Sequence, residues 1–421
     1  MSGFLETLRA RGFIADTTDD ERLAALFASG RPVTAYIGFD PSASSLHVGS
    51  LVQIMALVHL QRAGHRPLAV VGGGTGRVGD PSGKSELRKV LATDEIAANL
   101  DGLRAQLSRF FDVAPAGVAP SSANQGLIVD NADWLLGLDY VDFLRDIGRF
   151  FSVNRMLAAE SVKLRLESES GLSFLEFNYS ILQAYDFLVL FQRYGCQVQM
   201  GGRDQWGNIV AGIDLVRRVE GKPAYGITTP LITTASGGKM GKTEAGAVWL
   251  DAARTSPYDY YQFWINSDDR DAGRFLRLFT LLPLAEIEAL EKLEGAAIRA
   301  AKESLAFAAT ALNHGEDEAA RARDAARALF GGGDADAGGS AVPAWSLARS
   351  VLDGGVPAVA VFHDCGLCES RGAARRMARQ GGLYAFDVRV EEDRVFTTDD
   401  LRHGALLLRA GKKKHRRIEV E

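Results

Sequence analysis

Residues 33–51, "VTAYIGFDPSASSLHVGSL", indicate how this chain begins its main fold. The run from Val33 to Phe39 is β-branched and apolar, which predicts a buried strand, and a proline with small polar residues ends it. His47 and Gly49 then stand just before an apolar segment with the pattern of a helix. Because a helix N-terminus offers unpaired N–H groups and a partial positive charge, this strand-to-helix junction predicts a binding site for phosphate.

Short β-branched runs alternate with longer helical patterns from residue 33 to about residue 250. This alternation predicts an α/β fold with a parallel sheet. The candidate strands are residues 33–39, 66–73, 126–134 and 196–202, and the candidate helices fall within residues 4–28, 48–63, 94–111, 141–147, 154–168, 172–193 and 207–219.

The second half of the chain has a different character. Residues 255–330 carry almost no strand signal and read as helices, and residues 331–343, "GGGDADAGGSAVP", have the composition of a flexible linker. We therefore predict an α/β domain over residues 1–254, an all-α domain over residues 255–330, a linker over residues 331–343 and a small α+β domain over residues 344–421.

Composition limits the classes of function. The 421 residues are 47% apolar and 24% charged, with a net charge of −5, which does not suggest wholesale nucleic-acid binding. Residues 366–421 carry a net charge of +4 against −9 for the rest, so a basic, polyanion-facing appendage follows an acidic body. Three cysteines cannot form a disulfide framework, and the absence of a signal peptide or long apolar run predicts a cytoplasmic protein without membrane contact.

A glycine-rich stretch follows the second candidate strand. Residues 74–79 match G-x-G-x-x-G, but Pro81 would interrupt the helix that a dinucleotide fingerprint needs. The Gly-Lys-Ser that follows lacks the earlier glycine of a P-loop. The better interpretation is an active-site loop that presents Asp80 at the carboxyl end of a strand, with Lys84 and Arg88 on one helix face.

A polar stripe runs along the apolar helix predicted near residues 172–193. Tyr179, Gln183 and Asp186 are spaced i, i+4 and i+7, so they lie within a stripe of about 60°. A carboxylate in so apolar a helix needs a partner or a function. Asp186 is either a structural cap or ion-pair partner, or part of a pocket that Tyr36, on the strand at residues 33–39, also approaches.

Two separated motifs carry a family resemblance. His47 to Ser50 resembles the HIGH signature of class I aminoacyl-tRNA synthetases, and Lys239, Lys242 and Thr243 resemble their KMSKS loop, although exposed lysines are usually only solvent-facing. Nearly the whole chain resembles the bacterial tyrosyl-tRNA synthetases. The matching segments, in order and spacing, are residues 36–51, 78–88, 177–187, 201–209 and 237–246.

The resemblance implies both fold and activity. It implies a Rossmann-like catalytic domain, a helical tRNA-binding domain and a C-terminal S-four-type RNA-binding domain. It further implies ATP-dependent activation of L-tyrosine to tyrosyl-adenylate and transfer to tRNA(Tyr), with Mg²⁺ accompanying ATP, no tightly bound cofactor or protein metal site, and a homodimer. Carboxylate attack on a phosphate needs no general base, so positioning and electrostatics are the catalytic resources.

The resemblance also implies a role for each matched residue. Tyr36 and Asp186 would hydrogen-bond the phenol of the substrate. The remaining residues follow by position: Tyr179, Asp80 and Gln183 at the ammonium group, Gln205 near the reacting centre, Asp204 at the ribose, Gly38 and Asp40 beside the adenylate, Gly49 and Ser50 at the nucleotide, His47, Lys84, Arg88, Lys239, Lys242 and Thr243 on the pyrophosphate side, and Asn131 near the dimer seam.

Three positions depart from the family pattern. Ser50 replaces the second histidine of HIGH, which predicts a weaker or rearranged nucleotide contact. Arg203 replaces a small serine and adds a potential contact to phosphate or carboxylate. Gly241 replaces the serine of KMSKS, which we expect to loosen the loop; we expect activity to survive all three changes.

The C-terminal region offers two further interpretations. Arg371, Arg375, Arg376 and Arg379 are spaced to line one side of a helix for phosphate contact. The "HDCGLC" stretch at residues 363–368 lacks a second Cys/His pair for zinc and a thioredoxin-like context, so ordinary helix packing is the better interpretation of its cysteines. Two alternatives to tyrosine activation remain: activation of tryptophan by the related enzyme, and RNA binding by a protein with an inactive catalytic domain.

Overall fold

The computed structural model describes residues 3–82, 92–167, 171–238, 240–243, 246–330, 342–386, 388–411 and 414–421, with only the backbone for residues 160, 161, 242, 243, 329 and 330. The chain divides into two compact units. The first comprises Met1–Asp251 with Arg270–Lys292, and the second Ala252–Asp269 with Leu293–Glu421.

A six-stranded sheet forms the centre of the first unit, in the order β1 Asp16–Thr17, β6 Tyr225–Thr229, β5 Cys196–Gly202, β2 Thr34–Phe39, β3 Arg66–Val71 and β4 Leu127–Asp130. All neighbours are parallel except the edge strand β1, which pairs antiparallel with β6. The predicted α/β fold with a parallel sheet is therefore confirmed. The first unit also contains a small antiparallel hairpin of β7 Lys242–Thr243 and β8 Gly246–Ala247.

Helices cover the sheet and make up part of the second unit. In chain order they are α1 Phe4–Arg11, α2 Asp20–Phe27, α3 Leu51–Arg62, α4 Thr93–Phe110, α5 Ala132–Leu135, α6 Tyr140–Asp146, α7 Val153–Leu157, α8 Glu160–Leu166, α9 Phe174–Phe177, α10 Tyr179–Tyr194, α11 Trp206–Glu220, α12 Pro257–Ile265, α13 Ala272–Phe279, α14 Leu284–Leu290, α15 Ile298–His314, α16 Glu316–Phe330, α17 Arg349–Asp353, α18 Ala358–Asp364 and α19 Arg371–Arg379. Within the described residues, we find no helix that combines the length and the apolar character needed to cross a bilayer.

The packing of α3 and α10 fixes the centre of the first unit. Helix α3 is apolar on nearly every side, as expected of a helix enclosed by a sheet and other helices. Helix α10 packs Ala184, Phe187 and Leu188 into a core cluster that also contains Tyr36 and Leu68 of the sheet. The same helix therefore anchors itself through one face and presents its polar stripe on another.

The second unit contains helices α12, α15 and α16 and a five-stranded sheet in the order Val388–Arg389, Leu383–Ala385, Ala405–Ala410, Lys414–Val420 and Ala344–Leu347. Cys365 and Cys368 lie in the hydrophobic core of its C-terminal part, which confirms the packing role predicted for them, and burial raises the pKa of both thiols. Residues 331–341 of the predicted linker lie outside the described residues. The strands are β9 Ala344–Leu347, β10 Val356–Pro357, β11 Leu383–Ala385, β12 Val388–Arg389, β13 Val395–Phe396, β14 Ala405–Ala410 and β15 Lys414–Val420.

Candidate active site

One cavity of about 490 Å³ collects most of the residues that the sequence singled out. It opens where β2, β3 and β5 end, which is the edge at which open α/β sheets bind ligands. Lys84, Arg88 and Lys239 lie outside the described residues, and for Lys242 and Thr243 only the backbone is described. The residues in the cavity wall are Tyr36, Gly38, Asp40, His47, Gly49, Ser50, Asp80, Asn131, Tyr179, Gln183, Asp186, Asp204 and Gln205.

Asp186 lies at the inner end of this cavity and is only 4% exposed. Its Oδ1 accepts a hydrogen bond from Trp134 Nε1 at 2.7 Å, and its Oδ2 accepts one from Asn131 Nδ2 at 3.0 Å. Burial raises the pKa of Asp186 to about 7 despite these two donors, and the nearby Asp40 and Asp130 add to the rise. The carboxylate is thus held in place with acceptor capacity to spare.

Two buried polar atoms on the neighbouring strands β2 and β5 have no hydrogen-bond partner among the described residues. Tyr36 of β2 is paired in register with Gln199 of β5, and their side chains are 2% and 1% exposed. Neither the Tyr36 hydroxyl nor Gln199 Oε1 has a hydrogen-bond partner among the described residues. Because a buried, unpaired polar group costs about 1–3 kcal/mol, these atoms mark the place where a polar ligand group belongs.

An amide network lines the adjacent part of the cavity. Gln205 Nε2 donates to Asp80 Oδ2 at 2.7 Å, and Gln205 Oε1 accepts from Gln183 Nε2 at 3.2 Å. Asn208 Nδ2 donates to the side-chain oxygens of both glutamines at 3.1 Å. The network fixes the orientation of Asp80 and Gln183 relative to each other.

The same region concentrates negative charge. Burial, followed by the nearby Asp40, raises the pKa of Asp80 to about 6. The Tyr179 hydroxyl donates to Asp40 Oδ1 at 3.4 Å, so Tyr179 also belongs to this part of the wall. Four carboxylates line this cavity, since Asp186 and Asp204 join Asp40 and Asp80, and together they favour a ligand that carries a positive charge.

The outer end of the cavity is formed by the strand-to-helix junction. His47 caps the short turn before α3, and its Nδ1 accepts a hydrogen bond from the Gly49 N–H at 2.9 Å. A neutral ring with Nδ1 as acceptor carries its proton on Nε2. Ser50 lines the cavity at the position where the family has a second histidine. This junction places a hydrogen-bonding ring and backbone N–H groups where the sequence predicts a phosphate site.

The glycine loop at residues 240–243 packs directly on this junction. A Cβ at Gly241 would lie 2.7 Å from the Gly49 amide nitrogen, and a Cβ at Gly49 would lie 3.0 Å from the Met240 carbonyl oxygen. Hydrogen bonds from the Val48 and Val248 N–H groups continue the contact into the chain on either side. The two motifs, 190 residues apart in sequence, therefore meet. We expected Gly241 to loosen this loop; the structure instead shows that glycine permits its close packing.

Comparison with known proteins gives the family. A sequence family described as tRNA synthetases class I (W and Y) matches residues 28–331. A tyrosine–tRNA ligase from Desulfatibacillum aliphaticivorans is 55% identical over 98% of each chain, and one from Caulobacter vibrioides is 53% identical over 98% of this chain and 96% of its own. The chain belongs to the bacterial class I tyrosyl-tRNA synthetases. A truncated mitochondrial tyrosyl-tRNA synthetase from Aspergillus nidulans is 33% identical, with a TM-score of 0.69 over 78% of this chain and 95% of that one.

In this tyrosyl-tRNA synthetase, one departure from the family pattern lies outside the cavity wall. Arg203 Nε lies 3.3 Å from Asp16 Oδ2, and the Arg203 side chain is largely exposed. The carboxylate that Arg203 contacts is therefore one of the protein's own, on the edge strand β1. Asp204 and Gln205, the next two residues, both line the cavity.

Several residues in or behind the wall of the tyrosyl-tRNA synthetase cavity are not predicted by the sequence. Trp134 and Asn131 orient Asp186, and Asn131 is buried in the cavity wall, where it also donates to Thr75 Oγ1 at 2.9 Å. The family resemblance implies for Asn131 only a position near a dimer seam. Gln199 could have been found, because it is a polar residue within an otherwise buried strand. Trp134 left no comparable signal, since it lies on a short helix after β4.

Proposed function

We propose that this chain attaches L-tyrosine to tRNA(Tyr) in two steps, with ATP as the energy source. In the first step the carboxylate of tyrosine attacks the α-phosphate, which yields tyrosyl-adenylate and pyrophosphate. In the second, a ribose hydroxyl of the terminal nucleotide takes the tyrosyl group and AMP leaves. Family membership supports this reaction, and the observation that carries the choice of tyrosine is the buried group of Tyr36, Gln199 and Asp186 at the inner end of the cavity.

Recognition of the phenol follows from that group. A tyrosine hydroxyl placed between Tyr36 and Asp186 would donate to the carboxylate and accept from the Tyr36 hydroxyl, which satisfies both. Phenylalanine in the same place would leave the Tyr36 hydroxyl without a partner and the carboxylate without a donor. A site built around a ligand hydroxyl rejects the analogue that lacks it because the buried groups of the site then remain unpaired.

Tyr36→Phe tests the phenol contact without disturbing the fold. Because the Tyr36 hydroxyl has no partner among the described residues, we expect its removal to leave the free energy of unfolding unchanged or slightly raised. The Kd for tyrosine should rise about tenfold, and the Kd for phenylalanine should stay the same. Equilibrium dialysis with both amino acids measures the two Kd values. An equal loss of affinity for tyrosine and for phenylalanine would contradict the assignment of Tyr36 to the phenol.

Asp80, Tyr179 and Gln183 are proposed to hold the ammonium group of tyrosine. The carboxylate of Asp80 must be ionised to do so, and its pKa is raised to about 6 in the ligand-free chain. An ammonium group would favour the charged form and bring this pKa down. Asp40 and Asp186 face the same cavity, so the ammonium group relieves a general excess of negative charge.

The affinity for tyrosine should therefore depend on pH. Below pH 6, Asp80 is protonated in the free chain, and tyrosine binding must displace that proton. Through Asp80 alone, the Kd for tyrosine should therefore rise about tenfold for each unit by which the pH falls. Above that pH the Asp80 carboxylate is already charged, and the remaining dependence comes from Asp186, whose pKa is about 7, so the Kd should level off only above pH 7. Titration calorimetry from pH 5 to pH 8 checks this; Asp80→Asn should remove the part of the dependence that Asp80 adds below pH 6 and leave the part due to Asp186, whereas the exposed control Asp94→Asn should keep both.

The outer part of the cavity is proposed to bind ATP. His47, Gly49 and Ser50 would border the nucleotide and its phosphates, with Gly38 and Asp40 beside the adenylate and Asp204 at the ribose. Lys84, Arg88, Lys239, Lys242 and Thr243 are proposed to neutralise charge on the leaving pyrophosphate, and their side chains lie outside what the structure describes. Mg²⁺ is proposed to enter on the phosphate oxygens of ATP, which are the hard ligands this ion prefers.

The later part of the chain is proposed to bind tRNA(Tyr). We retain a helical domain over residues 255–330 and an S-four-type domain over residues 344–421 as the proposed tRNA-binding parts. On α19, Ala374 and Ala378 are buried and four arginines are exposed. Two of these already have acidic partners: Arg371 lies 3.5 Å from Asp364 and Arg379 lies 2.5 Å from Glu392. The exposed and basic side of α19 suits the phosphate backbone of RNA, and the remaining arginines are Arg375 and Arg376.

A homodimer is proposed from the apolar surface of the first unit. Residues 136–175 hold ten of the seventeen large apolar side chains that are exposed among the described residues. Exposed apolar side chains concentrated in this way mark an interaction surface. The ten side chains are Leu136, Tyr140, Val141, Leu144, Val153, Leu157, Leu164, Leu166, Phe174 and Leu175.

We further propose a cytoplasmic location, since all three cysteines are reduced and buried.

Val141→Asp should weaken this dimer. Val141 is 70% exposed in one chain, and a charge buried without a partner at an interface costs several kcal/mol, so the dimer dissociation constant should rise about 100-fold. Sedimentation velocity across a dilution series measures the effect. Val118→Asp is the matched control because Val118 is also exposed, at 55%, outside residues 136–175. A dimer that both variants leave intact would contradict the proposed surface.

Transfer of labelled tyrosine to tRNA tests the proposed function as a whole. The full chain, incubated with ATP, Mg²⁺ and tRNA(Tyr), should produce acid-precipitable tyrosyl-tRNA. Labelled tryptophan with its own tRNA is the control. Charging of tryptophan in place of tyrosine, or the failure to charge either, would overturn the proposal.

A further inference from the structure

A second cavity, of about 920 Å³, lies in the first unit and shares no lining residue with the active site. It is enclosed by α1, the end of α2 with the turn that follows, the last turn of α3, and residues 281–283. Its volume falls within the range of small-molecule sites. The proposed reaction gives this cavity no role.

The wall of this cavity is strongly cationic. Four arginines line it, against one acidic residue, Glu6; burial lowers the pKa of both lining histidines, His59 and His65, so they add no positive charge at neutral pH. Arg9 is neutralised by Asp20, whose carboxylate lies 2.8 Å away. Arg31 and Arg62 are exposed and pair with no acidic side chain among the described residues. The rim of the cavity therefore presents two guanidinium groups without a counterion, and guanidinium groups bind phosphate through paired hydrogen bonds.

The floor of the cavity holds a polar atom that lacks a partner. His59 is 5% exposed, and its Nε2 has no hydrogen-bond partner in the described part of the chain. Arg11, 6% exposed, donates to the carbonyl oxygens of Arg277 and Thr280, at 3.1 and 2.9 Å. Burial, followed by Arg11 and Arg62, lowers the pKa of His59 to about 3, so the ring is neutral beside two fixed cations. A neutral imidazole with Nε2 protonated would donate one hydrogen bond to an anion.

Apolar side chains form the remaining wall. The rings of Phe4 and Phe27 pack with centroids 4.8 Å apart, and Leu281 and Pro283 close the opposite side. Inorganic phosphate alone would leave most of this space unused. The combination of a cationic rim, a donor at the floor and an apolar wall suits a ligand with one phosphate group and a carbon body.

We propose that this cavity is a second ligand site that binds a phosphorylated small molecule. The phosphate lies between Arg31, Arg62 and His59 Nε2, and the carbon body packs against Phe27. A phosphate is favoured over a carboxylate because a dianion matches two unpaired guanidinium groups better than a monoanion does. The site is separate from the one that takes ATP, so occupation of one leaves the other open.

Calorimetry on the full chain with the active site blocked tests the proposal. A non-hydrolysable tyrosyl-adenylate analogue first saturates the active site, and cyclohexyl phosphate is then titrated as the probe. Inorganic phosphate, cyclohexanecarboxylate and cyclohexanol are titrated in parallel. We expect saturable binding of cyclohexyl phosphate, at least about tenfold tighter than that of the carboxylate, weaker binding of inorganic phosphate, and none of the alcohol.

Two variants locate the binding. Arg62→Gln and His59→Gln should each weaken cyclohexyl phosphate binding about tenfold or more. Arg109→Gln is the matched control, because Arg62 and Arg109 both stand exposed in the last turn of a helix and only Arg62 lines the cavity. Arg62 is exposed, so its variant keeps the fold even if the buried His59 variant does not.

Three results would overturn the proposed site, and a fourth would overturn the class of ligand. The first is the absence of saturable binding by cyclohexyl phosphate. The second is binding that disappears when the active site is blocked, which assigns the phosphate to the ATP site. The third is equal affinity in Arg62→Gln, Arg109→Gln and the unchanged chain, which places the ligand elsewhere on the surface. Tighter binding of the carboxylate than of the phosphate would overturn the ligand class.

Discussion

Replacing Asp186 with Asn is expected to lower kcat/KM for tyrosine in ATP–pyrophosphate exchange by about 100-fold. A hydrogen bond to a charged group contributes about 1.5–3 kcal/mol. The substitution replaces the charged carboxylate that accepts from the substrate phenol with a neutral amide. The asparagine amide would also bring an N–H group towards Trp134 Nε1 or Asn131 Nδ2, both of which donate to Asp186. The loss should therefore exceed that of one charged hydrogen bond.

The effect should be confined to substrates that carry the phenol hydroxyl. For phenylalanine, kcat/KM should remain unchanged or rise, because the neutral amide is easier to leave unpaired than a carboxylate. Asp146→Asn is the control. Asp146 is an exposed ion-pair partner of Arg145 and does not line the cavity. If Asp186→Asn kept its preference for tyrosine over phenylalanine, the proposed recognition of the phenol would be wrong.

Gly241→Ala is expected to slow adenylate formation by about 100-fold while leaving the Kd for tyrosine unchanged. Gly241 has φ +80°, and its added Cβ would lie 2.7 Å from the Gly49 amide nitrogen. The loop must then move off the junction at His47, and a displacement of about 1 Å at a reacting centre can cost about 100-fold. The tyrosine end of the cavity has no contact with this loop among its lining residues.

A neighbouring glycine separates this contact from backbone strain. Gly237 has φ +86° in the same loop region, but a Cβ there would meet nothing within 4 Å. Gly237→Ala therefore adds the cost of a side chain in a left-handed backbone conformation, about 1–2 kcal/mol. It does not add the steric clash that a Cβ at Gly241 makes with Gly49. Rapid-quench measurement of adenylate formation and equilibrium dialysis with tyrosine give the two quantities. An equal slowing in both variants would show that strain, and not the packing of the two motifs, sets the rate.

Much of the fold could be predicted because its signals are local. Strand β5 begins and ends where the sequence predicts, since Gly195 precedes it and a glycine pair ends it. Residues 4–28 form two helices, as the pattern allowed, because Asp19 caps the second at its N-terminus. The edge strand β1 was not predicted, because a strand of two residues shows no alternation of polar and apolar residues. Its pairing with β6 also depends on residues more than 200 positions away in the sequence.

The candidate site was predictable where helix periodicity fixes a face. Tyr179, Gln183 and Asp186 all line the cavity, as their spacing on α10 predicts. The partners of Asp186 were not predictable, because Asn131 and Trp134 reach it through the end of a different strand. The packing of Gly241 on Gly49 was also hidden from the sequence, since it depends on the path of two loops in space.

The measurement that tests the central claim most directly is amino-acid-dependent ATP–pyrophosphate exchange by the unchanged chain. Tyrosine, tryptophan and phenylalanine are supplied separately at equal concentration with ATP and Mg²⁺. A cavity that joins a triphosphate site to a group recognising a phenol hydroxyl predicts exchange with tyrosine and little or none with the other two. Exchange with tryptophan in place of tyrosine, or no exchange with any amino acid, would contradict it.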